Sequence, residues 1–332
     1  MMTSVVEFKD NLLAWCVVPF DARKREPEER AHMLKKLGFR HFAYDWRETD
    51  IPNFDAEIKA LKRHGIDLLA WWFPLEASDP FATTILEMFK HHNVHPQLWI
   101  AFPESFPRTM EEWTKLLPLG MQMPRSEADI EKLSEEERIK FRGVLHQVIA
   151  KFNAESFKKT PQEQQELVRQ EADRIRALVA LAAPYGSKVA LYNHNGWFGM
   201  MDNQIAIIER LNEIGVTDVG IVYNFSHARD ELHDDTIDFP TIWRKIKPYV
   251  VAVNVTGTHW EGSLVYPSQG DSELGMIRTI VESGWKGPIG VIAEKGGDAE
   301  VTLRNYLIGL DWLAAEIVKP GSGGPRPFPP IH

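Results

Sequence analysis

Three polar clusters in the second half of the chain contain residue types that can move protons or bind a metal ion. They are Asn193-His194-Asn195, the segment from Asn224 to His227, and Glu294-Lys295, and each directly follows an apolar run. A carboxylate and an imidazole can form a general acid–base pair or ligate a divalent metal, and an ammonium group can stabilise developing negative charge. The clusters therefore predict proton-transfer or metal chemistry, with Glu294, His194 and Lys295 as catalytic residues.

The same arrangement, in which polar or aromatic residues follow an apolar run, occurs at other points along the chain. Asp45 is a further candidate catalytic residue, although Asp45 and Arg47 could also simply pair with each other. Tryptophan is abundant, at 11 residues. These side chains could fill the hydrophobic core, or some of them could form an apolar wall against a sugar ring. We expect the following residues to contact a substrate: Arg47, Trp46, Trp72, Trp99, Glu104, Asn193, Trp197, Asn224, Asn254 and His259.

Eight short apolar runs place these residues at their C-terminal ends. We predict strands at 12–20, 41–46, 67–73, 95–102, 188–193, 218–224, 250–255 and 288–293. Their continuous rather than alternating apolar pattern is typical of a parallel sheet covered on both faces. Between them, amphipathic segments with helix start and stop signals predict helices at 27–37, 54–64, 80–92, 161–183, 203–214, 240–247, 272–283 and 299–318.

Eight strand–helix units predict an α/β fold, the (β/α)8 TIM barrel, as a single domain over residues 1–320. Because this fold typically needs about 250 residues, we interpret 104–160 as a helical insertion at the C-terminal mouth, after the fourth strand. Residues 321–332 are rich in Gly and Pro, and we expect them to stay loose or to lie on the surface. Active sites of this fold lie where the strands end, which is where the polar clusters fall.

Each candidate also has a structural interpretation. His194 could only hydrogen-bond at the barrel rim, Glu294 could form a salt bridge that closes the barrel, and Glu104 could cap a helix. A polar cluster is costly to bury without partners, which favours a functional role at the strand ends. His91 and His92 fall at a helix end away from the mouth, and we expect them to be surface residues.

Composition excludes several classes of protein. The net charge is 38 − 47 = −9, which disfavours a nucleic-acid binder because that function needs a basic face. No apolar stretch reaches the roughly 18 residues of a membrane span, and the N-terminus lacks a signal-peptide pattern, so we expect a cytoplasmic protein. Cys16 is the single cysteine and is expected to be a buried, inert thiol. The sequence leaves a homo-oligomer open.

The strand ends resemble those of the xylose-isomerase-like barrels, the sugar isomerase/epimerase superfamily. The resemblance is carried by the segments 189–194, 220–227, 253–255 and 290–294. Members usually have Glu at the end of strand five, Asp-x-x-His after strand six, His on strand seven and Glu on strand eight. These residues hold a divalent metal that polarises a sugar carbonyl while a carboxylate moves a proton. The resemblance implies a small-molecule carbohydrate substrate and a divalent metal such as Mn, Mg, Zn or Fe.

This chain departs from that ligand pattern, which implies a degenerate metal site. Tyr192 stands at the strand-five ligand position, which Asn193 or His194 could also fill, and Asn224 and Asn254 stand at the next two. Only Glu294 remains as a carboxylate, with His227 kept. Asn is a neutral and weaker ligand than a carboxylate, so a site with no metal stays open. His194, His227 and Glu294 could still form a two-His-one-carboxylate site for Mn, Fe or Zn.

Three functions follow from these observations. The first is a sugar isomerase/epimerase-like enzyme that acts on a sugar, keto-sugar or polyol by proton abstraction next to a carbonyl. The second is a lyase, dehydratase or hydrolase acting on a keto-sugar or glycoside, with or without a metal. The third is a non-catalytic carbohydrate-binding barrel. An endonuclease, which shares the superfamily, is disfavoured by the net charge of −9 and the missing carboxylates.

Overall fold

A closed barrel of eight parallel strands forms the centre of the protein. The computed structural model describes residues 11–102, 144, 159–194, 196–228, 238–258, 264–270, 272–293 and 297–328. The barrel strands are β1 Leu12–Trp15, β2 His41–Tyr44, β3 Asp67–Trp72, β4 Gln97–Ile100, β5 Val189–Tyr192, β6 Val219–Asn224, β7 Val250–Asn254 and β8 Ile289–Ile292. They follow one another around the barrel in chain order, and β1 pairs with both β2 and β8. The predicted TIM barrel and its eight strands are confirmed.

Eight helices surround the barrel within the described residues. They are α1 Pro27–Leu37, α2 Phe54–His64, α3 Pro80–His92, α4 Pro161–Ala182, α5 Met201–Glu213, α6 Phe239–Ile246, α7 Glu273–Glu282 and α8 Ala299–Val318. Local signals set their ends: Gly38 closes α1 in the left-handed conformation, Asp79 caps α3, and Thr160 forms a capping box with Glu163 at the start of α4.

The strands are shorter than predicted because the chain turns away as soon as it leaves the barrel. Beyond β1, Cys16 has a positive φ of 50° and a 3-10 turn covers Val18–Phe20, so the predicted strand 12–20 ends at Trp15. A two-stranded antiparallel ribbon, Gly257–Thr258 with Leu264–Val265, follows β7 and was not predicted.

The inward and outward faces of the strands are established by contacts between side chains. The rings of Trp15 on β1 and Trp99 on β4 lie 4.6 Å apart, and because these strands are not neighbours the contact crosses the barrel interior. Trp71 points outward, where it stacks on Tyr44 at 4.3 Å and meets Phe89 of α3 at 5.2 Å. The outward set holds the helices on the barrel, and the inward set forms the base of the mouth.

Two buried ion-pair systems join the helices at the mouth side. Arg30 of α1 donates two hydrogen bonds to Glu57 of α2, at 3.0 and 2.8 Å, and both side chains are buried. Arg25 bonds both carboxylate oxygens of Asp21 and reaches Asp298 before α8 at 2.6 Å. The first pair joins α1 to α2. The second links the segment after β1 to the residue before α8, and these segments are neighbours in the closed barrel.

The structure describes the predicted insertion and the C-terminal tail only in part. The predicted insertion 104–160 lies outside the described residues except for positions 144, 159 and 160. In the tail, Glu316 accepts hydrogen bonds of 2.8 Å from the backbone N–H groups of Gly321 and Gly323, and Phe328 lies 5.0 Å from the Tyr266 ring.

Over the described residues, none of the helices combines the length and apolar character needed to cross a membrane.

Candidate functional site

Four inward-facing aromatic side chains form the base of the mouth, and we call Trp15, Trp72, Trp99 and Tyr192 the aromatic floor. Trp72 lies edge-on to Trp99 at 5.9 Å and to Tyr192 at 4.6 Å, and Trp15 lies edge-on to Trp99. Edge-to-face packing is the favourable geometry for such rings. The close approach of Trp15 to β8 requires Gly290, where an added Cβ would lie 2.8 Å from the indole. Trp72 is the partly exposed member of the floor, and Trp15, Trp99 and Tyr192 are buried around it.

A hydrogen-bonded network of two asparagines holds the ends of β5 and β6 together above this floor. The Asn193 Oδ1 accepts from the Asn224 backbone N–H at 2.7 Å, and its Nδ2 donates to the Asn224 carbonyl at 3.0 Å. The Asn224 Nδ2 donates to the Tyr192 hydroxyl, and its Oδ1 accepts from the backbone and side chain of Ser226, both at 3.0 Å. Both amides are therefore committed to fixing the strand ends and Tyr192.

Asn254 and Thr256 are different, because they are fully buried polar residues without such bonds. Asn254 pairs in register with Asn224, so it lies on the inward face of β7. Neither of its amide atoms nor the Thr256 hydroxyl has a hydrogen-bond partner among the residues that the structure describes, and the same holds for the indole nitrogens of Trp15 and Trp72. An unpaired buried polar group costs about 1–3 kcal/mol. These atoms belong to residues at or just beyond the C-terminal ends of β1, β3 and β7, where a polar ligand at the mouth would pair with them. Other unpaired atoms, such as the Trp71 Nε1 and the Tyr44 hydroxyl, belong to residues on the outward face.

Two histidines meet at the rim of the mouth. The rings of His194 and His227 lie 4.6 Å apart, and Tyr192 lies 6.0 Å from the first and 5.4 Å from the second. The turn after β5 packs so tightly that a Cβ on Gly199 would lie 1.5 Å from the His194 carbonyl oxygen, so only glycine fits there. His227 is held by its backbone bond to the Asn224 carbonyl at 3.2 Å. The sequence correctly placed both imidazoles at this rim.

Asp45 is a buried carboxyl at the rim between the ends of β1 and β2. It is 7% exposed, and Arg47 donates to it at 2.7 Å, which is the pairing that the sequence left open. Burial raises the pKa of Asp45, and the charge and hydrogen bond of Arg47 and a hydrogen bond from Cys16 offset only part of that rise. Cys16 is buried, as expected from the sequence. A carboxyl whose pKa moves toward neutrality suits general acid–base catalysis.

Two tryptophans predicted to contact substrate are directed elsewhere. The Trp46 ring packs against Phe54 and Phe81 of the surrounding helices, and its Nε1 donates to a backbone carbonyl of β3. Trp197 donates its Nε1 to Gln164 of α4 at 2.7 Å. Neither joins the aromatic floor, because each follows the end of its strand, where the chain has already turned toward the helices.

Four predicted residues have no described position, and three residues at the mouth were not predicted to contact a ligand. The four, Glu104, His259, Glu294 and Lys295, lie outside the described residues and stay predictions. Sequence analysis assigned no ligand contact to Trp15, Tyr192 or Thr256. Identifying them requires knowing which residues of each strand point into the barrel. A continuous apolar run does not show this.

A cavity of about 440 Å³ opens at the opposite end of the barrel, where the strands begin. It is lined largely by strand residues such as Val189, Val219 and Val251, with the exposed Lys188–Asp218 ion pair at its edge. That end of a TIM barrel serves stability, whereas chemistry takes place at the C-terminal mouth. We therefore place the candidate site at the mouth.

Known structures resemble this chain in fold. No family model matches the chain, and no curated protein does. A xylose isomerase domain-containing protein of Salmonella typhimurium LT2 has a TM-score of 0.52 and 9% identity, over 91% of this chain and 97% of that chain. A D-allulose 3-epimerase from Methylomonas sp., in complex with D-allulose, has a TM-score of 0.51 and 10% identity, over 93% and 95%. The IolI protein with a bound zinc atom has a TM-score of 0.51 and 15% identity, over 92% and 99%.

The chain thus has the xylose isomerase-like TIM-barrel fold, which confirms the fold implied by the resemblance. The metal ligands of that superfamily do not fit the described residues. Tyr192 and Asn224 bond to each other, and Asn254 offers only a neutral amide. Zinc prefers thiolate, imidazole or carboxylate ligands, and magnesium is held through carboxylates. His194 and His227 provide only two nitrogens, so we derive no catalytic step from a metal at the mouth.

Proposed function

We propose that this protein is a sugar isomerase/epimerase-like enzyme that binds a sugar, keto-sugar or polyol at the barrel mouth. The observation that carries the proposal is a set of buried polar groups beside the aromatic floor that have no hydrogen-bond partner among the described residues: the Asn254 amide, the Thr256 hydroxyl and the Trp72 indole N–H. Sugar hydroxyls both donate and accept hydrogen bonds, so they can satisfy all of these groups, while the C–H faces of the sugar pack on aromatic rings. The similarity in fold to an epimerase bound to D-allulose supports the same substrate class.

Isomerisation or epimerisation requires removal of a proton from the carbon beside a carbonyl and its return at a different carbon or face. Asp45 is the described group best suited to accept that proton, because burial raises its pKa. The electron pair of the broken C–H bond moves to the carbonyl oxygen and gives an enediolate. The N–H groups of His194 and His227 supply hydrogen bonds to such an oxyanion. Glu294, which follows β8 in the sequence, is proposed as the second carboxyl that returns the proton.

A dehydratase or lyase is the second candidate, since it begins with the same proton abstraction and then expels a β-hydroxyl group as water. The neutral residues at the three described metal-ligand positions favour the version of either reaction that needs no metal. The two candidates differ in product: an isomer keeps the mass of the substrate, and elimination lowers it by one water.

The activity is tested by incubating the purified protein with a panel of ketoses and following products by chromatography and mass spectrometry, with and without a chelator. We expect turnover that survives the chelator and falls about 10²–10⁴-fold in Asp45→Asn. Asp218→Asn, an exposed carboxyl at the opposite end of the barrel, is the matched control and should leave turnover unchanged. A panel without product, or an Asp45→Asn variant as active as the parent, would contradict the proposal.

A further inference from the structure

Asp55, His91 and His92 form a side-chain cluster in the outer helical layer, separate from the mouth. Asp55 lies in the first turn of α2, and the two histidines are the last residues of α3. The His92 Nε2 lies 2.8 Å from the Asp55 Oδ1, and the two imidazole rings are 5.0 Å apart. One potential ligand atom from each residue lies within 4.8 Å of the other two. We propose that this cluster binds a divalent transition-metal ion such as Zn²⁺ and so links α2 to α3.

The donor set suits that class of ion. Two imidazole nitrogens and a carboxylate oxygen are ligands that zinc and its neighbours accept, with water in a fourth position. Tetrahedral coordination with bonds of 2.0–2.1 Å places neighbouring ligand atoms about 3.3 Å apart. The His92 Nε2–Asp55 Oδ1 distance of 2.8 Å is shorter than this value, and the other separations are at most 4.8 Å. Asp55 and His91 are exposed, so rotation of their side chains can adjust these distances. His92 is the fixed member, with a side chain only 8% exposed.

The local charges favour a cation at this position. Asp55 is an exposed carboxyl group, and such a group is negatively charged at neutral pH. The histidines occupy the C-terminal turn of α3, where the helix dipole carries partial negative charge. Two ammonium groups oppose a bound cation: Lys62 donates to the backbone carbonyl of His92, and Lys59 lies 2.7 Å from the Asp55 Oδ2. Lys59 occupies the oxygen that does not face His92, and its exposed side chain can move into solvent as the metal binds.

The site is tested by titrating metal-free protein with Zn²⁺ in a calorimeter and with Co²⁺ by visible spectroscopy. We expect one ion per chain at this cluster, and a loss of affinity of at least about tenfold in His91→Asn and in Asp55→Asn. Lys59→Ala should bind more tightly than the parent, because it removes a competing ammonium group. His64→Asn is the matched control and should bind like the parent, because it changes a half-buried histidine that is bonded to Glu28.

The mouth provides the contrasting result. His227→Asn should leave the ion bound, because that residue lies among the rings of the barrel rim. The proposal is overturned if the parent takes up no Zn²⁺, if His91→Asn and Asp55→Asn bind as the parent does, or if His227→Asn alone removes the ion. Since His91 and Asp55 are exposed, their variants are expected to fold, and circular dichroism verifies this before the titration.

Discussion

Replacement of Asn254 by leucine should stabilise the free protein and remove ligand binding at the same time. The side chain is 0% exposed, and neither amide atom has a hydrogen-bond partner among the described residues. A buried polar group left unpaired costs about 1–3 kcal/mol. Leucine branches at the same atom and carries no polar group, so Asn254→Leu should raise the free energy of unfolding by about 1–3 kcal/mol.

Asn193 offers a matched control of opposite sign. It is also buried, at 1% exposure, but its two amide atoms bond the backbone N–H and carbonyl of Asn224. Asn193→Leu removes both bonds: the Asn224 N–H loses its partner, and the Asn224 carbonyl keeps only the bond from the His227 N–H. The substitution should therefore lower the free energy of unfolding by about 1–3 kcal/mol. Both substitutions replace a buried asparagine near a strand end by leucine. They differ in whether the asparagine amide has hydrogen-bond partners among the described residues.

Urea denaturation followed by tryptophan fluorescence measures both effects as shifts of the midpoint at an unchanged slope. Calorimetric titration with the ketose that the parent binds should show no binding to Asn254→Leu. If Asn254→Leu is destabilised as much as Asn193→Leu, the Asn254 amide is paired in the free protein. The inference that it faces a ligand then fails.

Three further results are expected. Trp72→Phe keeps an aromatic ring but removes the indole N–H, which has no hydrogen-bond partner among the described residues. It should weaken ketose binding about 3–10-fold in calorimetry, the value of one hydrogen bond. Glu57→Gln leaves the buried Arg30 without a charged partner and should cost about 3–5 kcal/mol in urea denaturation. Burial would raise the pKa of Asp21, but hydrogen bonds from Arg25 and backbone amides outweigh it and hold that pKa below its ordinary value. The resulting stabilisation is present above about pH 4 and is lost as the pH falls through the folded-state pKa. Below about pH 4, the melting temperature of the parent should therefore fall more steeply with pH than that of Asp21→Asn.

Much of the architecture was predictable because local signals and topology agree. Proline near the first turn and a left-handed glycine after the last residue marked α1, whose predicted bounds 27–37 match the structure. The polar residues that follow the apolar runs predicted the position of the mouth. The structure brings two of them, His194 and His227, together there. These features depend on short stretches of chain and on the general rule that sites lie where barrel strands end.

The direction of individual side chains was not predictable. Trp46 and Trp197 follow strands in the sequence yet pack toward helices, whereas Trp15 lies within a strand and points into the barrel. A shift of one residue moves a side chain to the other face of a strand, and continuous apolar runs carry no alternation that would fix this phase. The bond between Asn224 and Tyr192 likewise depends on the closure of the barrel.

We propose that the mouth binds a keto-sugar and that Asp45 moves a proton beside the sugar carbonyl. The most direct measurement is proton NMR of ketoses incubated with the protein in deuterium oxide, which detects replacement of the hydrogen on the carbon next to the carbonyl. We predict deuterium incorporation into at least one ketose by the parent, and a rate about 10²–10⁴-fold lower for Asp45→Asn. Absence of exchange for every ketose, or equal exchange by parent and Asp45→Asn, would contradict this account.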